Sequence, residues 1–326
     1  MQLMNKQAEM LNAILQKQVP EVYTLLSTSG RRTFFPKESV VAQTAEANET
    51  KLNATIGQAL EDNHTPLTLS LLKEQTKLTL EQTFLYSPSY GQKKLRELWQ
   101  EAIYKKNPSL KAKISLPLVV GGLTHGLSVV NKLFVDEGDS IILPDKYWGN
   151  YKLIFDPAEL ATFPLYDKRC FNAAGLAKKL AEKGSKKIVL LNFPNNPTGY
   201  TPTEREAEEI REIIKKASEK NKVIVILDDA YFGLVYEKNI LKESLFARLA
   251  DLSENVLAVK VDGISKELYA WGLRVAFVTY GCKGLTQEAA KALEDKTAGV
   301  VRGTISNVNS HAQFMAVSAL ESKKLE

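Results

Sequence analysis

From about residue 95 onward the chain alternates short apolar runs with helix-length amphipathic segments. The apolar runs, rich in β-branched residues, lie at 116–120, 140–143, 187–192, 223–227, 256–261 and 275–279, and each predicts a strand. The clearest helix covers 202–220, with Thr201 as N-cap, Pro202 at the first helical position and Glu204 completing a capping box. Leu127, Val130 and Leu133 mark a second helix, and 312–325 reads as a third. Strand and helix in alternation predict an α/β fold whose mostly parallel sheet is sandwiched by helices. The runs VIVIL and IVLL suit strands buried on both faces.

Composition narrows the class of protein. The chain has 326 residues, about two domains' worth at ~150 residues each. Hydrophobic residues make up 44% and charged residues 25%, an ordinary soluble globular balance. A net charge of +5 is too small to imply a nucleic-acid partner. No apolar run approaches the roughly 18 residues of a membrane span, so no membrane partner is expected. The first residues carry Lys6, Glu9 and Lys17 and lack the apolar core of a secretory signal. Leu3, Met4, Leu11, Ile14 and Leu15 instead predict one face of an amphipathic helix, docked on its own domain or on a partner subunit. Two cysteines, Cys170 and Cys282, cannot build a disulfide framework, and with three scattered histidines they suggest no metal site. A cytoplasmic setting fits these features.

In such sheets ligands bind beyond the carboxyl ends of the strands, and four chemically distinctive segments lie there. They are Gly121-Gly122-Leu123-Thr124, Asn192-Phe193-Pro194-Asn195-Asn196-Pro197-Thr198-Gly199, Asp228-Asp229-Ala230-Tyr231, and Ser265-Lys266 followed by Gly272-Leu273-Arg274. Alone, each has a plain structural reading. Asn-Pro followed by Gly is a turn signal, an acidic residue at a strand end caps a helix, a lysine or arginine is a solvated charge, and a glycine pair is a tight turn.

Together and in this order, with Arg274 eight residues after Lys266, the segments resemble the pyridoxal-phosphate-dependent aminotransferases of class I and II, the fold type I shared with aspartate aminotransferase. The resemblance runs from about Tyr86 to Asn307. It implies a pyridoxal 5'-phosphate cofactor and transfer of an amino group between an amino acid and a 2-oxo acid. Lys266 would form a Schiff base with the cofactor aldehyde and then carry the substrate's α-proton, which a primary amine can do and an arginine cannot. Asp228 would face the pyridine nitrogen and keep it protonated, while Asp229 would point the other way and be structural. Asn196 and Tyr231 would bond the cofactor's phenolic oxygen, and Trp148 would stack on its ring.

The same resemblance implies that Arg274 and the loop Gly122, Leu123 and Thr124 hold the phosphate. Gly263 stands where many members have a phosphate-binding serine, so that contact is either missing or supplied by Ser265. Tyr86 matches a tyrosine that reaches the neighbouring subunit's phosphate, which implies a homodimer with shared active sites. Arg302, four residues before Ser306-Asn307, has the spacing of an arginine for a substrate's distal carboxylate, although a surface arginine reads equally well. The implied organisation is an N-terminal arm and segment over 1–60, a cofactor-binding large domain over 61–316, and the start of an interdomain helix over 317–326. Only 52 residues follow Arg274, so a truncated second domain is expected, and no residue is assigned to the substrate α-carboxylate. Two other readings stay open: a lyase or synthase on the same fold, and a cofactor-binding protein without turnover.

Overall fold

The computed structural model describes residues 4–35, 47, 50, 55, 57, 59–63, 65–74 and 78–322, and the chain divides into two units, Met1–Gln58 and Ala59–Glu326. In the first unit, helices Lys6–Gln18, Pro20–Leu25 and Thr28–Arg32 follow one another. Asn5 starts the first by accepting from the Gln7 amide at 2.8 Å. Buried Asn12 ties it to the third, donating to the Arg31 carbonyl at 2.8 Å. The expected amphipathic helix therefore forms, yet Leu11 and Ile14 on its apolar face remain 43% and 49% exposed. Leu3 lies outside the described residues.

The second unit is built on a seven-stranded sheet. Its strands are β1 (Leu118–Val120), β2 (Ser140–Pro144), β3 (Glu159–Phe163), β6 (Lys186–Asn192), β7 (Lys222–Asp228), β8 (Val256–Gly263) and β9 (Ala276–Cys282); β4 (Tyr166–Asp167) and β5 (Cys170–Phe171) form a separate hairpin. The order across the sheet is β1-β9-β8-β7-β6-β2-β3. Strand β9 runs antiparallel to β1 and β8, and the other pairings are parallel. Consecutive strand residues feed two different cores, as a period of two requires. Leu227 and Phe277 pack with Trp99, Ile210 and Phe246, whereas Ile226 and Val278 pack with Leu127, Tyr151 and Val261. Burial on both faces explains the continuous apolar runs.

Two details differ from the sequence expectation. Strand β3 is present although its sequence, ELATF, has too little apolar periodicity to stand out. The helix expected from Pro202 is Glu204–Ser218, and its capping box is Thr203 with Glu206 rather than Thr201 with Glu204. Both pairs fit the same spacing. Glu206 wins because its buried carboxylate also accepts from the Phe171 amide at 2.8 Å and the Tyr200 hydroxyl at 2.7 Å. The last helix, Ser310–Glu321, is capped by Asn309 and runs unbroken through 316 and 317, while 323–326 lie outside the described residues. No helix among the described residues is long and apolar enough to cross a membrane.

Candidate active site

The parallel strands β6, β7 and β8 end at one edge of the sheet, and the antiparallel β9 begins there. Asn192 is in register with Asp228, and Asp228 with Val261. Lys266 follows β8 on the single-turn helix Ile264–Glu267. Arg274 sits just before β9, and Gly122 caps the helix Leu123–Phe134 that follows β1. Topology therefore gathers the glycine loop, the aspartate and the connection that carries both Lys266 and Arg274 from three separated parts of the chain.

Side-chain geometry joins them further. The Lys266 ammonium lies 5.1 Å from the centre of the Tyr231 ring. Asp228 is 3% exposed and accepts from the Tyr151 hydroxyl at 2.6 Å on Oδ2 and from the Ala230 amide at 3.1 Å on Oδ1. Trp148 meets the Tyr151 ring edge to face at 5.7 Å. Asn196 joins through buried Asn192, whose Oδ1 accepts from the Asn196 amide at 2.7 Å and whose Nδ2 donates to the Asp228 carbonyl at 2.7 Å. Asp229 parts company with Asp228, as expected: its carboxylate meets Lys260 and Ser244 instead.

The charges perturb one another. Burial pushes the Lys266 amine below the ordinary lysine range and the nearby Arg274 adds to this, while Asp228 pulls the other way. Burial raises the Asp228 carboxyl, opposed by the Tyr151 hydrogen bond and by the charge on Lys266. Burial, then the Asp228 charge, likewise raises the Tyr231 phenol. A lysine whose proton affinity is lowered by burial, beside a buried carboxylate, is suited to moving protons.

An anion cradle lies next to them. Gly122 has φ +85°, and a Cβ there would come within 2.2 Å of Arg274 Nη2, so only glycine lets the guanidinium lie against the loop. Arg274 itself has φ 53° and donates to the Trp271 carbonyl at 3.2 Å; this left-handed backbone is costly for a side-chain-bearing residue. The departure at Gly263 has a steric cause: a Cβ would stand 2.7 Å from the Ala276 Cα and 2.8 Å from the Val275 carbonyl, so β8 and β9 leave no room for serine. The hydroxyl of Ser265, by contrast, is buried with no hydrogen-bond partner among the described residues.

Three contributing residues were given no role in the sequence reading. Tyr151 and Asn192 anchor Asp228, and His125 accepts the Gly121 amide on Nδ1 at 3.0 Å while its Nε2 meets Thr304 at 2.9 Å. Burial lowers the His125 pKa, and because Nδ1 accepts from the Gly121 amide the ring proton sits on Nε2. The helical spacing from Trp148 to Tyr151 was the available signal for Tyr151. Two expected residues make no contact with this group: Tyr86 is 91% exposed, and Arg302 donates to Ser306 at 2.7 Å.

Known proteins carry the same architecture. A crystal structure of an aminotransferase from Anaerococcus prevotii superposes with a TM-score of 0.82 at 22% identity, over 92% of this chain and 76% of that one. The sequence model of the family described as aminotransferase class I and II matches residues 49–326, and the chain belongs to that family. A probable aspartate/prephenate aminotransferase of Aquifex aeolicus is 29% identical over 73% of this chain and 57% of its own length. An aspartate aminotransferase of Sulfurisphaera tokodaii is 28% identical over 78% of this chain and 60% of its own. The chain thus spans less than two thirds of these relatives.

Pyridoxal 5'-phosphate is the cofactor of this family, and the residues present fit it. The Gly122–Arg274 cradle suits its phosphate, the unpartnered Ser265 hydroxyl offers one more donor, and Asp228 offers a buried carboxylate for a ring nitrogen.

Proposed function

We propose that this protein transfers amino groups between amino acids and 2-oxo acids with pyridoxal 5'-phosphate. The observation that carries the reading is the meeting of Lys266 with Tyr231, Asp228 and Arg274 at one sheet edge. When bound, the cofactor supplies a reactive aldehyde and a ring that takes up the electron pair released at the substrate α-carbon. Arg274, Gly122, Leu123, Thr124 and Ser265 would hold its phosphate, and Trp148 would cover the ring. Asn196 and Tyr231 would donate to the phenolic oxygen, and Asp228 would hold the proton of the ring nitrogen. Lys266, with its amine depressed by burial, takes the α-proton and returns it.

In this reading residues 61–316 form the cofactor-binding domain and 1–60 an arm. Acidic amino acids are the preferred donors, supported by the names of the relatives and by Arg302, whose guanidinium is held by Ser306. Two copies pair, supported by the exposed apolar stretch of Leu80, Phe84, Leu85 and Tyr86. The compartment is the cytoplasm, consistent with Cys170 and Cys282 standing as free thiols.

The test is to load the protein with cofactor, add aspartate, glutamate or alanine, and follow conversion of the absorbance to the pyridoxamine form. Conversion restored by a 2-oxo acid supports amino transfer. Ammonia or a cleaved carbon skeleton without that conversion replaces it with a lyase. Sedimentation at micromolar concentration reads the pairing.

A further inference from the structure

A second set of charges lies behind the two residues given the central roles. On the other face of the sheet Lys260, 0% exposed, pairs with Asp229 and lies 3.2 Å from Asp262 Oδ2. Each carboxylate has a further donor: Ser244 Oγ reaches Asp229 at 2.6 Å, and Trp99 Nε1 reaches Asp262 at 3.0 Å. Burial opposes the charge on Lys260, but the two carboxylates outweigh it and hold the ammonium above its ordinary range. Glu267 pairs with Lys106 at the end of the helix Lys93–Lys106.

Buried charges of this kind are a poor source of stability, because apolar side chains of similar volume commonly hold a fold as well or better. Their placement is specific, however. Asp229 is the chain neighbour of Asp228, and Glu267 is the chain neighbour of Lys266. Lys260 stands opposite Leu227 on β7, and Asp262 lies on the same strand just ahead of the turn that carries Lys266. The end of β7 is thus fastened to the end of β8 at the point where each strand delivers its reacting side chain.

We propose that Lys260 is a positioning residue: by clamping Asp229 and Asp262 it fixes the separation of the Asp228 carboxylate from the Lys266 amine, and the Lys106–Glu267 pair, beside the same cluster, ties the turn to the helix Lys93–Lys106. This inference rests on the roles assigned to Lys266 and Asp228 above. A misplacement of about 1 Å between reacting groups costs up to about a hundredfold in rate, so a clamp of this kind acts on turnover more than on substrate binding.

The test compares the parent with a triple variant, Asp229→Asn, Lys260→Met and Asp262→Asn, which removes the charges while keeping acceptors for Ser244 and Trp99. The single Lys260→Met strands two buried carboxylates and is expected to lose stability. The triple variant is expected to keep its circular dichroism and bind pyridoxal phosphate. Its visible-absorbance titration should move by about half a pH unit or more, and kcat should fall about tenfold or more with KM changed less than about threefold. A triple variant with the parent's titration and kcat overturns the proposal. So does one that fails to fold, since the cluster would then serve stability alone. Borohydride reduction of the parent with peptide mapping separates the two levels: a label away from Lys266 removes the reading beneath, whereas a label on Lys266 beside an unperturbed triple variant removes only this inference.

Discussion

Tyr151 donates its hydroxyl hydrogen to Asp228 across 2.6 Å, in a setting where Tyr151 itself is 1% exposed. The bond favours the ionised carboxyl, against the burial that raises its pKa. In Tyr151→Phe that support is gone and the Asp228 titration moves upward. The acid limb of α-proton exchange, followed by deuterium uptake into a bound amino acid, is expected to shift to higher pH. An unchanged limb would detach Tyr151 from the chemistry.

Gly122→Ala places a methyl group 2.2 Å from the Arg274 guanidinium on a backbone with φ +85°. Affinity for pyridoxal phosphate is expected to fall about tenfold or more, with about 1 kcal/mol or more of stability lost to the strained backbone. Pyridoxal, which lacks the phosphate, should lose far less. Equal losses for the two ligands in a fluorescence titration would show that the loop does not read the phosphate.

Gly263→Ser restores the residue that many family members have, yet the new Cβ would meet the backbone of Val275 and Ala276 at 2.8 and 2.7 Å. Backbone cannot swing aside like a side-chain tip, so a loss of about 1–3 kcal/mol in urea unfolding is expected. Ser265→Ala, by contrast, should leave stability nearly untouched and weaken cofactor binding, because the hydroxyl it removes has no hydrogen-bond partner among the described residues.

Arg302→Ala removes a guanidinium that donates to the Ser306 hydroxyl at 2.7 Å. Turnover of aspartate and glutamate should drop relative to alanine, by about tenfold or more if a charge-assisted pair with a distal carboxylate is lost. An unchanged ratio of kcat/KM values removes the acidic-donor preference.

What could be read from the chain and what could not follow from the range of the interactions. Strands such as Lys222–Asp228 announce themselves because burial on both faces demands consecutive apolar residues. The polar segments at their ends stand out against that background, which is why Lys266, Asp228, Asn196 and Arg274 could be singled out. Strand direction leaves no such trace, so the reversal of β9 was not legible. The capping frame was ambiguous because Thr201 and Thr203 each have a glutamate at the right spacing, and long-range contacts of Glu206 with Phe171 decided between them. Tyr151 reads as one more aromatic core residue, since its partner Asp228 is 77 positions away.

The reversal of β9 also lowers the entropy needed to assemble the site. Because β8 and β9 are antiparallel neighbours joined directly, Lys266 and Arg274 ride on one short connection. Their mutual placement needs only a local loop closure, which costs less chain entropy than bringing in the glycine loop and Asp228 from distant segments. Lys266 and Arg274 are thus held together by a local stretch of chain, and Gly122 and Asp228 are brought to them by sheet pairing over long sequence separations.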